Sequence, residues 1–232
     1  MKTIGLIGGM SWASTVHYYR LINEAVAARL GGLHSAQILM YSFDFEQLAA
    51  LQRADRWDEA ARLVADAATR LQAAGADVLL IGSNTMHSVA EHVASSVRVP
   101  LIHVADATAA AIAARGIKAV GLLGTRFTME QPFYVDKLEG HGLRVLVPDQ
   151  AGRDRAHAII FGELCRNVVT DESRDAFIEL IDDLAARGAE AIILGCTEIM
   201  LLIGPEDCKM PAFDTTEIHA LAAVDFALGA PQ

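Results

Sequence analysis

The 232-residue sequence has few of the features that mark secreted, membrane or nucleic-acid-binding proteins. Its three cysteines, an odd number without C-x-x-C spacing, do not describe a disulfide framework. No apolar run approaches a membrane span, and the one in MKTIGLIGGMSW is too short for a signal peptide. The 19 basic residues are outnumbered by 29 acidic ones and form no basic run, which argues against nucleic acid or anionic lipid as a partner. We therefore expect a cytoplasmic protein that binds neither nucleic acid nor membrane.

Signals for metals and nucleotide cofactors are also missing. The segment GLIGGM has G-x-x-G-G spacing instead of the G-x-G-x-x-G of dinucleotide-binding turns, and no G-x-x-x-x-G-K-[ST] loop occurs. Four histidines show no metal-type spacing with any carboxylate or thiol: His17, His103, His157 and His219. The sequence therefore predicts no metal site and no cofactor.

The chain does have abundant apolar sequence, at 53% hydrophobic residues, enough for one domain or two compact lobes. Short apolar runs predict strands at 2–8, 36–42, 77–82, 100–104, 118–124, 143–148, 191–195 and 210–214. Helical patterns lie between them, at 14–29, 56–73, 86–95, 106–115, 131–139, 153–165, 173–187 and 217–228. Continuous apolar runs suit strands that are buried on both faces of a parallel sheet, so the alternation predicts an α/β fold.

The sequence contains an internal repeat, in which two segments each occur twice in similar form. GLIGGMS at 5–11 returns as GLLGTRF at 121–127, and GADVLLIGSNTMH at 75–87 returns as GAEAIILGCTEIM at 188–200. The two offsets, 116 and 113, are nearly equal and the order is the same. This indicates a duplicated lobe.

The repeat predicts where the two lobes begin and end. We expect a first lobe of residues 1–100, completed by a C-terminal helix at about 215–232, and a second lobe of residues 101–214. Ser83 and Cys196 each follow the repeated strand, and ligands of parallel sheets bind at the carboxyl ends of strands. We therefore expect the active site in the cleft between the lobes, with these two side chains on opposite sides of one ligand.

Both turns read as the beginnings of helices, whose free N–H groups can bind a carboxylate. A helix N-terminus also lowers the pKa of a thiol from about 8.5, so Cys196 is expected to be partly thiolate at neutral pH. Two opposed acid/base groups without a cofactor suit inversion of a stereocentre by proton exchange at Cα.

Four separated motifs, in order, resemble the aspartate/glutamate racemase family: GLIGGMSWAST, SNTMH, LLGTRFTM and GCTEI. The resemblance covers essentially the whole chain. It implies two Rossmann-like lobes related by pseudo-two-fold symmetry, a cofactor-independent (PLP-independent) racemase of acidic amino acids, and a homodimer. An exposed Trp12 or Trp57 is a candidate for the subunit contact.

The resemblance also assigns residues to roles. Cys196 matches the thiol of the second lobe, and Glu198 is expected to orient that thiol or to hold the substrate ammonium. The remaining residues are matched to substrate binding: Met10, Ser11, Gln52, Asn84, Thr85, Thr125, Thr128 and Thr197. Cys165 occupies a region where relatives place a lysine that faces the substrate, although a thiol on an apolar helix is more often a packing residue.

Ser83 departs from the two-thiol pattern, because a hydroxyl is a far weaker acid than a thiol. It is either a natural hydroxyl variant with one preferred direction or an engineered replacement of cysteine. His87, four residues later, is a candidate to assist it, and a simple hydrogen-bonded role is the alternative. Two other functions stay open, a one-thiol decarboxylase of the same superfamily and a protein that binds acidic amino acids without turnover.

Overall fold

The computed structural model describes residues 1–204 and 207–229, which form two compact units. Unit 1 comprises Met1–His103 together with the described residues from His219 onward, and unit 2 extends from Val104 to Ile218. Unit 1 is therefore discontinuous in sequence, and unit 2 is the segment inserted into it.

Unit 1 contains a four-stranded parallel sheet with the order β2-β1-β3-β4. Its strands are β1 (Ile4–Gly8), β2 (Ile38–Ser42), β3 (Val78–Ile81) and β4 (Leu101–Ile102). Its helices are α1 (Trp12–Leu30), α2 (Phe45–Arg53), α3 (Trp57–Ala73) and α4 (Ala90–Ser96), with a 3₁₀ turn at Thr85–Val89. The closing helix α10 (Thr215–Leu228) begins in unit 2 and continues into unit 1.

Unit 2 contains a second four-stranded parallel sheet, with the order β6-β5-β7-β8. Its strands are β5 (Ala119–Gly124), β6 (Arg144–Leu146), β7 (Ala191–Gly195) and β8 (Ala212–Asp214). Its helices are α5 (Val104–Ala113), α6 (Arg126–Glu130), α7 (Pro132–Gly140), α8 (Gln150–Gly162) and α9 (Asp171–Ala186), with 3₁₀ turns at Leu164–Arg166 and Ile199–Leu201. The strand order repeats that of unit 1, so β3 and β7 occupy equivalent positions.

The predicted α/β fold is confirmed, and each predicted strand is present. The central strands β1, β3, β5 and β7 are buried along their whole length, as continuous apolar runs require. Two helices were not predicted, α2 and α6, which have only nine and five residues. The helix predicted at 86–95 is a 3₁₀ turn followed by the short α4.

The sheet of unit 1 is covered on both faces. Ile4 and Leu6 of β1 pack on one side with α1 and α10, while Ile7 packs on the other side with α3 and α4. Each such side chain is fully buried, which stabilises the fold by about 1.5–3 kcal/mol per residue. The alternation of side chains along β1 thus fixes which helices lie on each face.

Gly9, at the end of β1, requires glycine for two reasons. Its φ is +84°, in the left-handed region, and a Cβ there would lie 2.3 Å from the backbone N and O of Phe43. The turn after β1 can therefore pass close to the chain that follows β2. Within the described residues, no helix combines the length and hydrophobicity needed to span a membrane.

Candidate active site

In unit 1, the turn after β1 carries the predicted residues Met10 and Ser11, and both are buried. The Gly9 N–H donates to Thr15 Oγ1 at 2.8 Å, and that hydroxyl donates to the Ser11 carbonyl at 2.9 Å. The start of α1 is thereby fixed against the strand end. Ser11 Oγ is buried without a hydrogen-bond partner among the described residues. Such an atom is an open donor or acceptor at this edge of the sheet.

The Ser83 turn follows β3, the strand next to β1. Ser83 is half-buried, and its Oγ accepts a long hydrogen bond, 3.4 Å, from the Met86 N–H. Asn84 and Thr85 are buried. The turn leads into a 3₁₀ helix and not directly into an α-helix, so the α-helix expected to begin here starts only at Ala90.

The structure places Gln52 beside the same turn. Gln52 lies on α2, is 4% exposed, and its Nε2 lies 3.0 Å from Met86 Sδ. Its Oε1 has no hydrogen-bond partner within residues 1–204 and 207–229. The amide is therefore held at one end and leaves an acceptor open at the other.

In unit 2, Thr125 begins α6 at the end of β5. Its Oγ1 accepts from the Thr128 N–H at 3.3 Å, and the two hydroxyl oxygens lie 3.1 Å apart. Gly124 pairs with Gly195 of β7, and a Cβ on Gly124 would lie 2.8 Å from the Gly195 carbonyl oxygen. Glycine at 124 thus allows the Thr125 and Cys196 turns to lie side by side.

The Cys196 turn is organised around the carboxyl of Glu198. The Cys196 thiol donates to Glu198 Oε2 at 3.0 Å, and the Thr197 hydroxyl donates to the same oxygen at 2.9 Å. Glu198 is 2% exposed, and its Oε1 is buried without a partner among the described residues. A buried carboxyl with one satisfied oxygen and one open oxygen is unusual outside functional sites.

The prediction that Cys196 is partly thiolate is wrong for this state of the protein. Burial raises the pKa of the Cys196 thiol well above its usual value, and the neighbouring Glu198 carboxyl raises it further. The segment that follows, Ile199–Leu201, is a single 3₁₀ turn and supplies no α-helical dipole. The thiol is therefore protonated at neutral pH.

Cys165 belongs to the same environment, although not as the helix residue that was expected. It lies in the 3₁₀ turn Leu164–Arg166, after α8 has ended, and is half-buried. Burial raises the pKa of the Cys165 thiol, and the charge of Glu198 acts in the same direction. Cys165 also contributes to the raised pKa of Cys196, so the two thiols and Glu198 form one electrostatic group.

Tyr18, His87 and His219 form a buried group next to Ser83 that was not predicted from the sequence. His87 Nδ1 lies 2.8 Å from the Ser83 carbonyl oxygen, so His87 contacts the backbone of Ser83 through this atom. Tyr18 on α1 bonds to His219 Nδ1 at 2.9 Å, and His219 Nε2 bonds to the Ile102 carbonyl at 2.9 Å. No short sequence pattern marks this group, because its members are 201 residues apart at the extremes.

The beginning of helix α10 is held by side-chain hydrogen bonds from and to neighbouring strands. Asp214 Oδ1 accepts from the Thr216 N–H at 2.8 Å, and the Thr215 hydroxyl donates to the Leu194 carbonyl at 2.8 Å. Burial raises the pKa of the Asp214 carboxyl. These bonds attach the beginning of α10 to β7 and β8.

The predicted site residues thus form two sets, each at the carboxyl edge of its own sheet. The set in unit 1 comprises Met10, Ser11, Gln52, Ser83, Asn84 and Thr85. The set in unit 2 comprises Thr125, Thr128, Cys196, Thr197 and Glu198. In the part of the chain that the structure describes, no three His, Cys, Asp or Glu side chains are grouped to hold a metal ion.

Known proteins are similar to this chain in fold and in sequence. A candidate Asp/Glu racemase from Yersinia pestis is 51% identical, with a TM-score of 0.91 over 98% of this chain and 100% of its own. An aspartate racemase homologue from Pyrococcus horikoshii is 33% identical, with a TM-score of 0.85 and the same coverage of both chains. The broad-specificity amino-acid racemase RacX of Bacillus subtilis is 25% identical over 167 residues, 72% of each chain.

The family model for Asp/Glu/Hydantoin racemases matches residues 7–223, which include strands β3 and β7 and the turns that carry Ser83 and Cys196. The two sheets of equal strand order agree with the two-lobe fold of these racemases. The chain therefore belongs to the Asp/Glu/Hydantoin racemase family.

Proposed function

We propose that this protein is a PLP-independent racemase that interconverts the L- and D-forms of glutamate or aspartate by two-base proton transfer at Cα. Family membership supports an amino-acid racemase. The observation that carries the two-base reaction is the repeat, in which Ser83 and Cys196 follow the equivalent strands β3 and β7. The reaction requires these two turns to act on opposite faces of one substrate Cα.

Cys196 is the stronger acid/base group of the pair. In the resting protein its thiol donates a hydrogen bond to Glu198 Oε2, with Sγ and Oε2 3.0 Å apart. A substrate ammonium bound at the open Glu198 Oε1 would partly cancel the carboxylate charge that adds to burial in raising the pKa of the thiol. The pKa of Cys196 would then fall when substrate binds, the thiol would release its proton to solvent, and the resulting thiolate would take the Cα proton.

Ser83 is the opposite group in this proposal, and its hydroxyl is the limiting partner. Among the described residues its Oγ accepts only a long hydrogen bond, from the Met86 N–H, which leaves the hydroxyl proton available to a ligand. A hydroxyl donates a proton to a carbanion more readily than it removes one. We therefore expect one direction of racemisation to be faster in single-turnover experiments.

Neutral donors are proposed to hold the carboxylates of the substrate. Asn84 and Thr85 in unit 1 and Thr197 in unit 2 supply buried amide, hydroxyl and backbone groups. The remaining binding residues of the proposal are Met10, Ser11, Gln52, Thr125 and Thr128. The open acceptor of Gln52 and the open hydroxyl of Ser11 support this role, because a bound ligand would satisfy both.

A homodimer is part of the proposal. Trp12, Val16 and Tyr19 are 68%, 58% and 52% exposed and follow the i, i+4, i+7 spacing of one face of α1. An exposed apolar stripe of this kind suits a subunit contact. Light scattering during size-exclusion chromatography measures the mass, and a monomer at all concentrations would remove this part of the proposal.

The activity is tested by incubating the wild-type protein in heavy water with each enantiomer of glutamate, aspartate and alanine, without added cofactor. Deuterium at Cα and the appearance of the other enantiomer, measured by NMR and chiral chromatography, support a racemase. Carbon dioxide released from an arylmalonate, with no exchange in any amino acid, would replace the proposal by a one-thiol decarboxylase. Calorimetric binding of an amino acid that keeps its Cα proton would indicate a binding protein instead.

A further inference from the structure

The hydrogen-bonded group of Tyr18, His87 and His219 lies entirely in unit 1, and a third imidazole, that of the half-buried His103, lies beside it. The His87 ring lies edge-on to His103, with centroids 4.5 Å apart, and edge-on to His219, with centroids 5.5 Å apart. His87 is 2% exposed and His219 is fully buried. A buried set of polar rings is costly unless each is hydrogen-bonded, so the pattern of donors and acceptors in this group is fixed by its partners.

That pattern can be assigned from the two carbonyls, because a carbonyl oxygen can only accept. His219 Nε2 must donate to Ile102, so in a neutral ring Nδ1 is the acceptor, and the Tyr18 hydroxyl donates to it. His87 Nδ1 must likewise donate to the Ser83 carbonyl. Burial, together with the proximity of His87, lowers the pKa of His219 to about 3, so this ring remains neutral in ordinary buffers.

Two hydrogen bonds hold the Ser83 turn, one to the side chain of Ser83 and one to its backbone carbonyl. The Met86 N–H donates to the Ser83 hydroxyl, and the His87 side chain donates to the Ser83 carbonyl. A 3₁₀ turn would otherwise tend to pair that carbonyl with the backbone N–H three residues later. The imidazole therefore sets the orientation of the Ser83 peptide, and with it the direction of Cα–Cβ.

We propose that His87 is a positioning residue for the Ser83 side of the reaction, acting as an Nδ1–H donor that holds the Ser83 carbonyl, with the Tyr18–His219 pair supporting its ring. This inference rests on the proposed function and goes beyond it. It assigns His87 no proton transfer of its own with the substrate. A displacement of about 1 Å at a reacting group can cost about 100-fold in rate, so a residue that fixes this turn controls turnover.

The test compares His87→Ala, His87→Asn and His87→Gln. The asparagine amide nitrogen occupies nearly the position of Nδ1, whereas the longer glutamine places its amide nearer Nε2. We expect His87→Ala to lower exchange of the enantiomer deprotonated on the Ser83 side by about 10-fold or more, with KM nearly unchanged. His87→Asn should recover most of this loss and His87→Gln little. His92→Ala, an exposed histidine on α4, is the matched control and should change nothing.

Two results would overturn the inference. One is an equal loss for both enantiomers, which would indicate general destabilisation, and the other is recovery by glutamine as complete as by asparagine. If the wild type exchanges no amino acid, the proposed function fails, but imidazole ¹⁵N spectra of histidine-labelled protein still decide this point. They should show a proton on His87 Nδ1 and on His219 Nε2 at pH 7, and a neutral Nε2–H form of His87 would refute the assignment.

Discussion

In unit 1, strand β3 is followed by Ser83, whose backbone carbonyl is hydrogen-bonded by the imidazole of His87. In unit 2, the equivalent strand β7 is followed by Cys196, whose thiol is hydrogen-bonded to the carboxyl of Glu198. The scaffold is the same, with equal strand order and a 3₁₀ turn after each strand. The side chains around the two turns differ between the units. The comparison shows that a duplicated fold can supply two similar positions while the neighbouring side chains give each a different acid strength.

Removing the thiol is expected to have the largest effect on this comparison. Cys196→Ala should lower racemisation in both directions by about 1,000-fold or more, because the stronger acid/base group is lost. Cys208→Ala is the control, since Cys208 is a half-buried thiol of unit 2 outside the turn, and it should leave exchange unchanged. Substantial residual racemisation in Cys196→Ala would mean that another group is the base.

Glu198→Gln separates the two effects of the carboxyl on the thiol. The change keeps the shape but removes the charge that raises the pKa of Cys196. Alkylation of Cys196 by iodoacetamide at pH 8, measured by mass spectrometry, should therefore become faster. Turnover should fall by about 10- to 100-fold, because the acceptor for the ammonium and for the thiol proton is weakened. A parallel change of both rates would contradict the roles proposed for Glu198.

Ser83→Cys makes the two turns alike. If the hydroxyl limits the reaction, racemisation should rise by about 10-fold and the difference between the two directions should shrink. Ser88→Cys, a serine-to-cysteine change in the 3₁₀ turn that follows Ser83, is the matched control and should not raise the rate. A lower rate in Ser83→Cys would show that serine is adapted to this position.

The smallest predicted effect is on stability and concerns the histidine side of the comparison. The pKa of His219 is about 3 in the folded protein and about 6.5 in the unfolded chain, so below pH 6.5 only the unfolded state binds this proton. The free energy of unfolding should therefore fall as the pH decreases from 6.5 towards 3, by up to about 1.4 kcal/mol per pH unit. Urea unfolding of the wild type and of His219→Gln at pH 7.5, 6 and 5 measures this slope. Equal slopes in the two proteins would exclude it.

The strands could be predicted from sequence because each central strand is apolar on both faces, a pattern that no surface helix shares. The short helices α2 and α6 could not, since nine or five residues give too few turns for a periodic signal. The placement of Gln52 depended on α2 and was therefore accessible only through the resemblance.

The acid strength of Cys196 was the main error of sequence reasoning. The local pattern indicated a helix N-terminus and a lowered pKa, but burial and one neighbouring carboxyl act in the opposite direction. Both depend on how the turn packs, which the order of residues does not encode locally. The Tyr18–His219 bond was inaccessible for the same reason, because it joins α1 to a helix 201 residues away.

The discontinuity of unit 1 has a consequence for how the protein is made. On the ribosome, all of unit 2, which ends in the first turn of α10, is synthesised before Ala220, Ala223 and Val224, the residues of α10 that complete one face of the first sheet. The inserted unit can therefore fold during translation while the earlier one still waits for its last helix. Until α10 is synthesised, Ile4 and Leu6 lack part of their apolar cover, and that face of the nascent sheet is exposed to solvent.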